Sequence, residues 1–166
     1  TKIKWLLDNI KGLRRRAGKG EVGFGTVETW LSWKLTGGKA ETAEYTNASR
    51  TLCFNIKDKK WDEDLLKIMK IPHAILPGVK ASSSIFGNAM KNTCGLISGI
   101  PIAGNTGDQQ AALFGQGCFA EGEMKNTYGT GCFLLLNTGQ KPMLSKKGLL
   151  TTLACDTRGN PSYALE

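Results

Sequence analysis

Apolar residues recur along this chain with two different periods. Ile3, Leu6, Leu7 and Ile10 follow i, i+3, i+4, i+7 spacing, which predicts a helix over residues 1–10, and Gly12 weakens its continuation. Thr26 is a candidate N-cap for a second helix in which Val27, Trp30, Leu31 and Lys34 share a face, with Gly37-Gly38 as the stop. Trp30 and Trp33 lie inside that amphipathic segment and are expected in its packed side. From Thr42 to Ile56 the pattern changes to loop and short strand. Trp61-Asp62-Glu63-Asp64 then opens a helix with acids in its first turn, and Leu65, Leu66, Ile68 and Met69 form its apolar side as far as Ile71-Pro72. Pro77-Gly78 marks a turn, and Ser82 to Leu96 reads as a polar loop region around the apolar pair Ile85-Phe86.

The second period is that of strands. Ile100-Pro101-Ile102-Ala103 leads into Gly104 to Gln116, G-N-T-G-D-Q-Q-A-A-L-F-G-Q, where a strand enters a glycine loop and a helix begins near Asp108. Lys125 to Gly139, K-N-T-Y-G-T-G-C-F-L-L-L-N-T-G, predicts a β-hairpin with Gly129-Thr130-Gly131 at its tip. Leu149 to Cys155 is the next strand, Asp156 to Asn160 a turn, and Ser162 to Leu165 a further strand. The alternation of helices and strands is that of an α/β protein.

Composition narrows the function classes. The chain has 166 residues, enough for one core, and its 40% hydrophobic and 22% charged content is ordinary for a globular protein. No apolar run approaches the roughly 18 residues of a membrane span and no signal-peptide pattern opens the chain, so a cytoplasmic protein is expected. Cys53, Cys94, Cys118, Cys132 and Cys155 are widely spaced, with no C-x-x-C pair, so reduced thiols are expected and no protein-held metal. The net charge of +8 raises nucleic acid as a partner. Yet the densest basic cluster, Arg14-Arg15-Arg16, has no interleaved aromatic residues and no nucleic-acid-binding signature after it, and it reads as a solvated helix end or loop.

Two segments carry candidate chemistry. Glycines on both sides of Thr130 would let the backbone turn with φ > 0 and aim N–H groups at an anion, with the hydroxyl as an added donor; a plain turn is the other reading. Asp108 at a strand-to-helix junction is either an N-cap or a carboxylate facing a cleft, where it could accept a proton from a substrate hydroxyl. His73, the only histidine, follows a proline and is a poor candidate for the base of a triad, and no Ser or Cys nucleophile constellation is visible elsewhere. Arg50, beside Asn and Ser, suits a structural ion pair or a loop anchor near a cleft.

Together these segments resemble the glycerol kinases, within the carbohydrate kinases that share the ribonuclease H-like, actin-type ATPase fold. The resemblance runs through T-K-I-K-W-L-L-D-N (Thr1 to Asn9), F-G-T-V-E-T-W-L-S-W-K-L-T-G-G (Phe24 to Gly38) and T-N-A-S-R-T-L-C-F-N-I (Thr46 to Ile56). It continues through G-D-Q-Q-A-A-L-F-G-Q (Gly107 to Gln116), N-T-Y-G-T-G-C-F (Asn126 to Phe133) and G-L-L-T-T (Gly148 to Thr152), with Lys57 to Gly99 fitting loosely. It implies ATP-dependent phosphorylation of glycerol to glycerol 3-phosphate. Asp108 would be the general base and a polyol contact, Gln109 a second contact and Phe133 the wall against the glycerol carbons. Thr130, between Gly129 and Gly131, would sit at the phosphates of ATP, whose charge calls for Mg²⁺.

The resemblance also sets the organisation. Residues 1–117 would be the C-terminal part of the first, substrate-side domain, and residues 118–166 the start of the second, nucleotide-side domain. The family's early phosphate loops and its Arg-Glu glycerol contacts would precede Thr1, and its adenine site would follow Glu166. The chain is thus expected to be an internal piece, inactive alone, of an enzyme that is a homo-oligomer at full length. Control through a phosphorylatable histidine or an Arg-containing loop is not expected, because Lys91 to Gly99 contains neither residue. A related sugar or polyol kinase, and a non-catalytic binding protein of the same fold, stand as the alternatives.

Overall fold

The computed structural model describes residues 1–91 and 98–166. The stretch considered for control and Cys94 therefore lie largely outside the described residues. The chain begins with helices α1 (Lys2–Asn9), α2 (Leu13–Gly18) and α3 (Val27–Leu35). Helix α1 ends at Asn9 with Ile10 as its extended C-cap, and Gly12, expected to weaken α1, takes φ 77° as the N-cap of α2, so the Arg14-Arg15-Arg16 cluster is helical. Arg14 is consumed locally, donating to the Lys70 carbonyl at 2.6 Å and pairing with Asp8, while Arg16 pairs with Glu21 at 3.6 Å.

Next come β1 (Thr42–Glu44), α4 (Tyr45–Ser49), the hairpin β2 (Phe54–Asn55) and β3 (Lys60–Trp61), and α5 (Glu63–Met69). The Asp62 carboxylate caps α5 by accepting from Leu65 N at 2.9 Å, as the acidic opening predicts. Of its expected apolar side Leu66 is buried and Ile68 is exposed. One 3-10 turn at His73–Ile75 leads to β4 (Gly78–Lys80), which pairs in parallel with β1. The turn expected at Pro77-Gly78 is thus the start of a strand. The antiparallel pair β5 (Gly87–Asn88) and β6 (Pro101–Ile102) precedes α6 (Asp108–Gly115).

The last quarter is one antiparallel sheet. Its strands β7 (Met124–Tyr128), β8 (Cys132–Gly139), β9 (Thr151–Cys155) and β10 (Pro161–Leu165) lie in the order β7-β8-β10-β9. Period-2 alternation sorts β9 and β10 between two cores. Leu153 and Tyr163, opposite each other, face a cluster with Leu7, Phe54, Trp61 and Leu66, and the Tyr163 hydroxyl donates to the Ile56 carbonyl at 3.0 Å. Ala154 and Ala164 face Leu113 of α6 with Leu135 and Cys118. These strands are covered on both sides, which is why their residues are nearly all buried.

Helix α3 departs from the expected pattern. Thr26 is its N-cap by position, but its hydroxyl bonds to the Glu28 carboxylate and makes no cap bond. The face drawn through Val27, Trp30, Leu31 and Lys34 is exposed, with Trp30 56% and Trp33 38% accessible. The buried side is the polar one, Glu28, Thr29 and Ser32. Polar partners explain the inversion. Glu28 Oε1 accepts from Glu44 N at 3.3 Å, and the Ser32 hydroxyl accepts from Asn105 Nδ2 at 3.0 Å. On the outer side the Lys34 ammonium lies 5.7 and 5.2 Å from the Trp30 and Trp33 ring centroids, within cation–π range.

The Glu44 carboxylate is fully buried at the centre of this network. It accepts from Thr46 N at 2.8 Å, Asn47 N at 3.2 Å and the Ser82 hydroxyl at 2.7 Å, as well as from the Thr46 hydroxyl. Burial pushes its carboxyl above the ordinary glutamate value, against the pull of those donors. With the folded value raised, the stability linked to this group is complete below the unfolded value and is lost as pH rises through the folded one. Glu44→Gln in the full-length protein should remove that slope in urea melts taken across weakly acidic pH. It should also cost about 1–3 kcal/mol, because the carboxamide replaces one of the two acceptor oxygens by an NH₂ group and leaves buried donors without a partner. A slope that survives the substitution would assign the pH dependence to another group.

Candidate functional site

The start of α6 is held from below. Thr46 Oγ1, itself bonded to Glu44, accepts from Gly107 N at 2.7 Å, and Ala111 N closes the first helical turn on the Gly107 carbonyl at 2.7 Å. A β-carbon on Gly107 would lie 2.7 Å from Gln110 Oε1 and 3.3 Å from Thr46 Oγ1, so the close approach requires glycine. Gly107, not Asp108, is the N-cap. Asp108 is the first helical residue, exposed, and among the described residues its Oδ1 accepts only from the next amide, Gln109 N, at 2.8 Å. Oδ1 thus satisfies one free amide of the first turn, while Oδ2 makes no hydrogen bond among the described residues, and the exposed side chain lies beside the helix N-terminus.

Gln109 leans onto the sheet, where its Oε1 accepts from Lys125 Nζ. That ammonium also donates to Thr127 Oγ1 at 2.8 Å and to the Phe133 carbonyl at 3.2 Å. Lys125 is 4% exposed, and burial pushes its ammonium below the ordinary lysine value, with the Glu166 and Asp108 carboxylates opposing. Sequence reasoning assigned Lys125 no role. The available signal was a lone lysine at an inward position of a strand bearing polar neighbours, which a period-2 count would have flagged. Glu44 and Thr46, which fix Gly107, were missed as well, since their partners are distant in sequence.

The hairpin lies where the sequence predicts it, with Thr127 opposite Phe133 and Tyr128 opposite Cys132. Its tip is Gly129-Thr130-Gly131, exposed at the first two residues and half-buried at the third, with Gly129 N donating to the Gly131 carbonyl at 3.0 Å. Neither glycine takes the positive φ that was expected. Gly131 is required for a different reason. A β-carbon there would lie 2.7 Å from Phe133 Cε2, so the ring rests on the glycine. Lys125 thus gathers Gln109 and the Phe133 backbone, and Asp108 is next to them along α6. Thr130 stands apart at the tip.

Asp108, Thr130 and Phe133 are all exposed, and none of them lines the cavity of about 490 Å³ between Ser82, Thr106, Phe114 and Arg158. Asp108 and Phe133 lie on an open surface on either side of the Lys125 contacts, and Thr130 is at the hairpin tip beyond them. Arg50 forms an ion pair with Glu166 at 2.9 Å, and His73 is exposed, 3.5 Å from Glu63. Among the described residues no three His, Cys, Asp or Glu side chains are grouped to hold a metal, and no helix is long and apolar enough to cross a membrane. Cys53, Cys118, Cys132 and Cys155 are free thiols.

Comparison with known proteins gives the family. Residues 1–115 match the N-terminal domain of the FGGY family of carbohydrate kinases. The glycerol kinase of Fusobacterium nucleatum is 60% identical over all 166 residues, which cover 33% of its own length, and glycerol kinase 2 of Thermotoga maritima is 58% identical over the same span, again 33% of its length. The chain spans about a third of the length of the curated relatives it matches. The crystal structure of Plasmodium falciparum glycerol kinase with ADP superimposes with a TM-score of 0.91 at 42% identity, covering 99% of this chain and 33% of that one. A xylulose kinase from Rhodospirillum rubrum, at 16% identity and a TM-score of 0.81, shares the fold. The fold is accordingly the actin-type ATPase fold of these enzymes. With the match covering more than two thirds of its residues, the chain belongs to the FGGY family of carbohydrate kinases.

Proposed function

We propose that the protein carrying this chain is an ATP-dependent glycerol kinase, with this chain as one wall of its active-site cleft. The observation that carries the reading is the likeness to glycerol kinases over all 166 residues, at 57–60% identity in three of them, joined to an exposed carboxylate at the head of α6. Sugar kinases of the same fold match at 16–19%. That difference favours glycerol over a pentulose.

In this reading Asp108 accepts the proton of a terminal hydroxyl as that oxygen attacks the γ-phosphorus of ATP. The new P–O bond forms as the bond to the bridging oxygen breaks, and ADP leaves. Gln109 binds a second hydroxyl and the Phe133 ring covers the carbon face. The Thr130 hydroxyl and the backbone N–H groups of its turn meet the phosphates. Mg²⁺ would supply neutralisation of the phosphate charge; with one carboxylate on this wall, the donor set suits a cation held by phosphate oxygens and water, and no side chain here is assigned to it.

Residues 1–117 belong to the substrate-side domain and residues 118–166 to the nucleotide-side domain, with α6 as the crossing element. The sheet that follows α6 packs its Leu153–Tyr163 face on the core of the first 117 residues, so closure would work at the α6 side of that contact. The complete enzyme is a cytoplasmic homo-oligomer in this reading. The 166 residues alone lack the opposite wall and should not turn over, because positioning catalysis needs the nucleophile and phosphate clamped from both sides.

Glycerol-dependent ADP release by the full-length protein tests the reading, with xylulose as the competing acceptor and glycerol binding without turnover as the mark of a non-catalytic protein. Asp108→Asn should lower turnover by about 10²- to 10⁴-fold while the protein still binds polyol; an unchanged rate would refute the base assignment. Thr130→Ala should act more mildly and mainly raise the apparent KM for ATP, since backbone donors of the turn remain. An effect confined to glycerol would move Thr130 out of the phosphate site. Gly131→Ala, by displacing the Phe133 ring, should raise the glycerol KM more than the ATP KM, as steady-state kinetics would show.

A further inference from the structure

The one ammonium group buried in the wall has no role in the reading above. Lys125, the second residue of β7, bonds to α6 and β8, and among the described residues no carboxylate lies within 4 Å of its ammonium. A buried charge without a counter-ion is costly unless its hydrogen bonds are met in full. Here they are. The three protons of the ammonium go to three oxygens: Gln109 Oε1, Thr127 Oγ1 at 2.8 Å and the Phe133 carbonyl at 3.2 Å. With all three donors committed, Lys125 has none left to grip a phosphate.

A lysine can only donate, so this arrangement fixes which end of the Gln109 carboxamide points inward. The oxygen is turned to the ammonium and the NH₂ group is left on the open side, where it makes no hydrogen bond among the described residues. We propose that Lys125 is a positioning residue: it locks the Gln109 carboxamide so that a donor, and not an acceptor, faces the substrate next to the Asp108 carboxylate. The wall then presents an acceptor and a donor side by side. Such a pair fits two neighbouring hydroxyls of one polyol, one giving its proton to Asp108 and the other accepting from Gln109, and it would orient the reacting hydroxyl. The same ammonium holds the Phe133 backbone, so the apolar wall and the donor are set from one point.

This inference rests on the glycerol kinase reading, and its test separates the two. The measurements are a double-mutant cycle of Lys125→Met and Gln109→Ala in the full-length enzyme, with kcat and both KM values, and crystal structures of the parent and of Lys125→Met. Met fills the same space without charge or donors, which a packed site tolerates. Lys125→Met alone should raise the glycerol KM about tenfold and leave the ATP KM within about twofold; in the Gln109→Ala background it should add less than about twofold, since both act through one contact. Lys125→Arg keeps the charge but replaces the three-way donor by a planar fork, and should not restore the parental KM.

Additive effects, a parallel rise in the ATP KM, or full rescue by arginine would each overturn the proposal, the last in favour of charge alone. Should the parent phosphorylate a different polyol, the cycle is read with that polyol. The crystal structures decide independently of turnover. Gln109 should be ordered against Lys125 in the parent and displaced in Lys125→Met, and an unmoved Gln109 would refute the positioning role whatever the enzyme acts on. If Lys125→Met does not fold, Lys125→Arg and its structure carry the same test.

Discussion

A carboxylate taken wholly out of water must find its hydrogen bonds inside the protein, and the way Glu44 finds them ties this chain together. Two backbone amides at the start of α4 and two hydroxyls, one of them from Ser82, converge on its oxygens. The Glu44 amide in turn bonds Glu28 of α3, and the Thr46 hydroxyl receives Gly107 at the head of α6. Four separate segments therefore meet at one buried acid. Replacing it with an apolar residue would leave four donors unmet in a place water does not reach.

The second anchor has the opposite charge. Lys125 is buried in the later sheet as Glu44 is in the earlier part, and each is satisfied chiefly by neutral oxygen or hydroxyl and amide groups, not by each other. Between them runs α6. Its N-terminus is held by the Glu44 network through Thr46 and Gly107, and its first turn is held by Lys125 through Gln109. The exposed carboxylate of Asp108 is thus fixed from two directions without either anchor touching it. One of its oxygens stays bonded to Gln109 N, and the side chain is carried by an element that both anchors hold in place.

Much of the fold was legible because local rules governed it. Helices α1, α5 and α6, the hairpin at Gly129-Thr130-Gly131, and strands β9 and β10 with their Asp156 turn lie where periodicity and turn residues put them. For the site, Asp108, Gln109, Thr130 and Phe133 were named from motifs whose residues are adjacent in sequence. The supports were not legible. Lys125 gains its meaning from Gln109, sixteen positions away, and Glu44 from Ser82, thirty-eight away. Nothing in a window of a few residues distinguishes such groups from solvated charges.

Sequence by itself determined the α/β alternation, the order of the elements and the family, since repeating apolar spacing and long contiguous motifs depend only on neighbours in the chain. Tertiary structure decided which side of α3 is inside. A hydrophobicity pattern predicts the burial of Val27, Trp30 and Leu31, yet Glu28, Thr29 and Ser32 are the residues inside, because their hydrogen-bond partners Glu44 and Asn105 arrive from sixteen and seventy-three positions away. It also decided that Gly131 is needed for the Phe133 ring and not for a left-handed backbone. Polar burial is set by partners that only the folded chain brings within hydrogen-bond reach, and no local pattern encodes them.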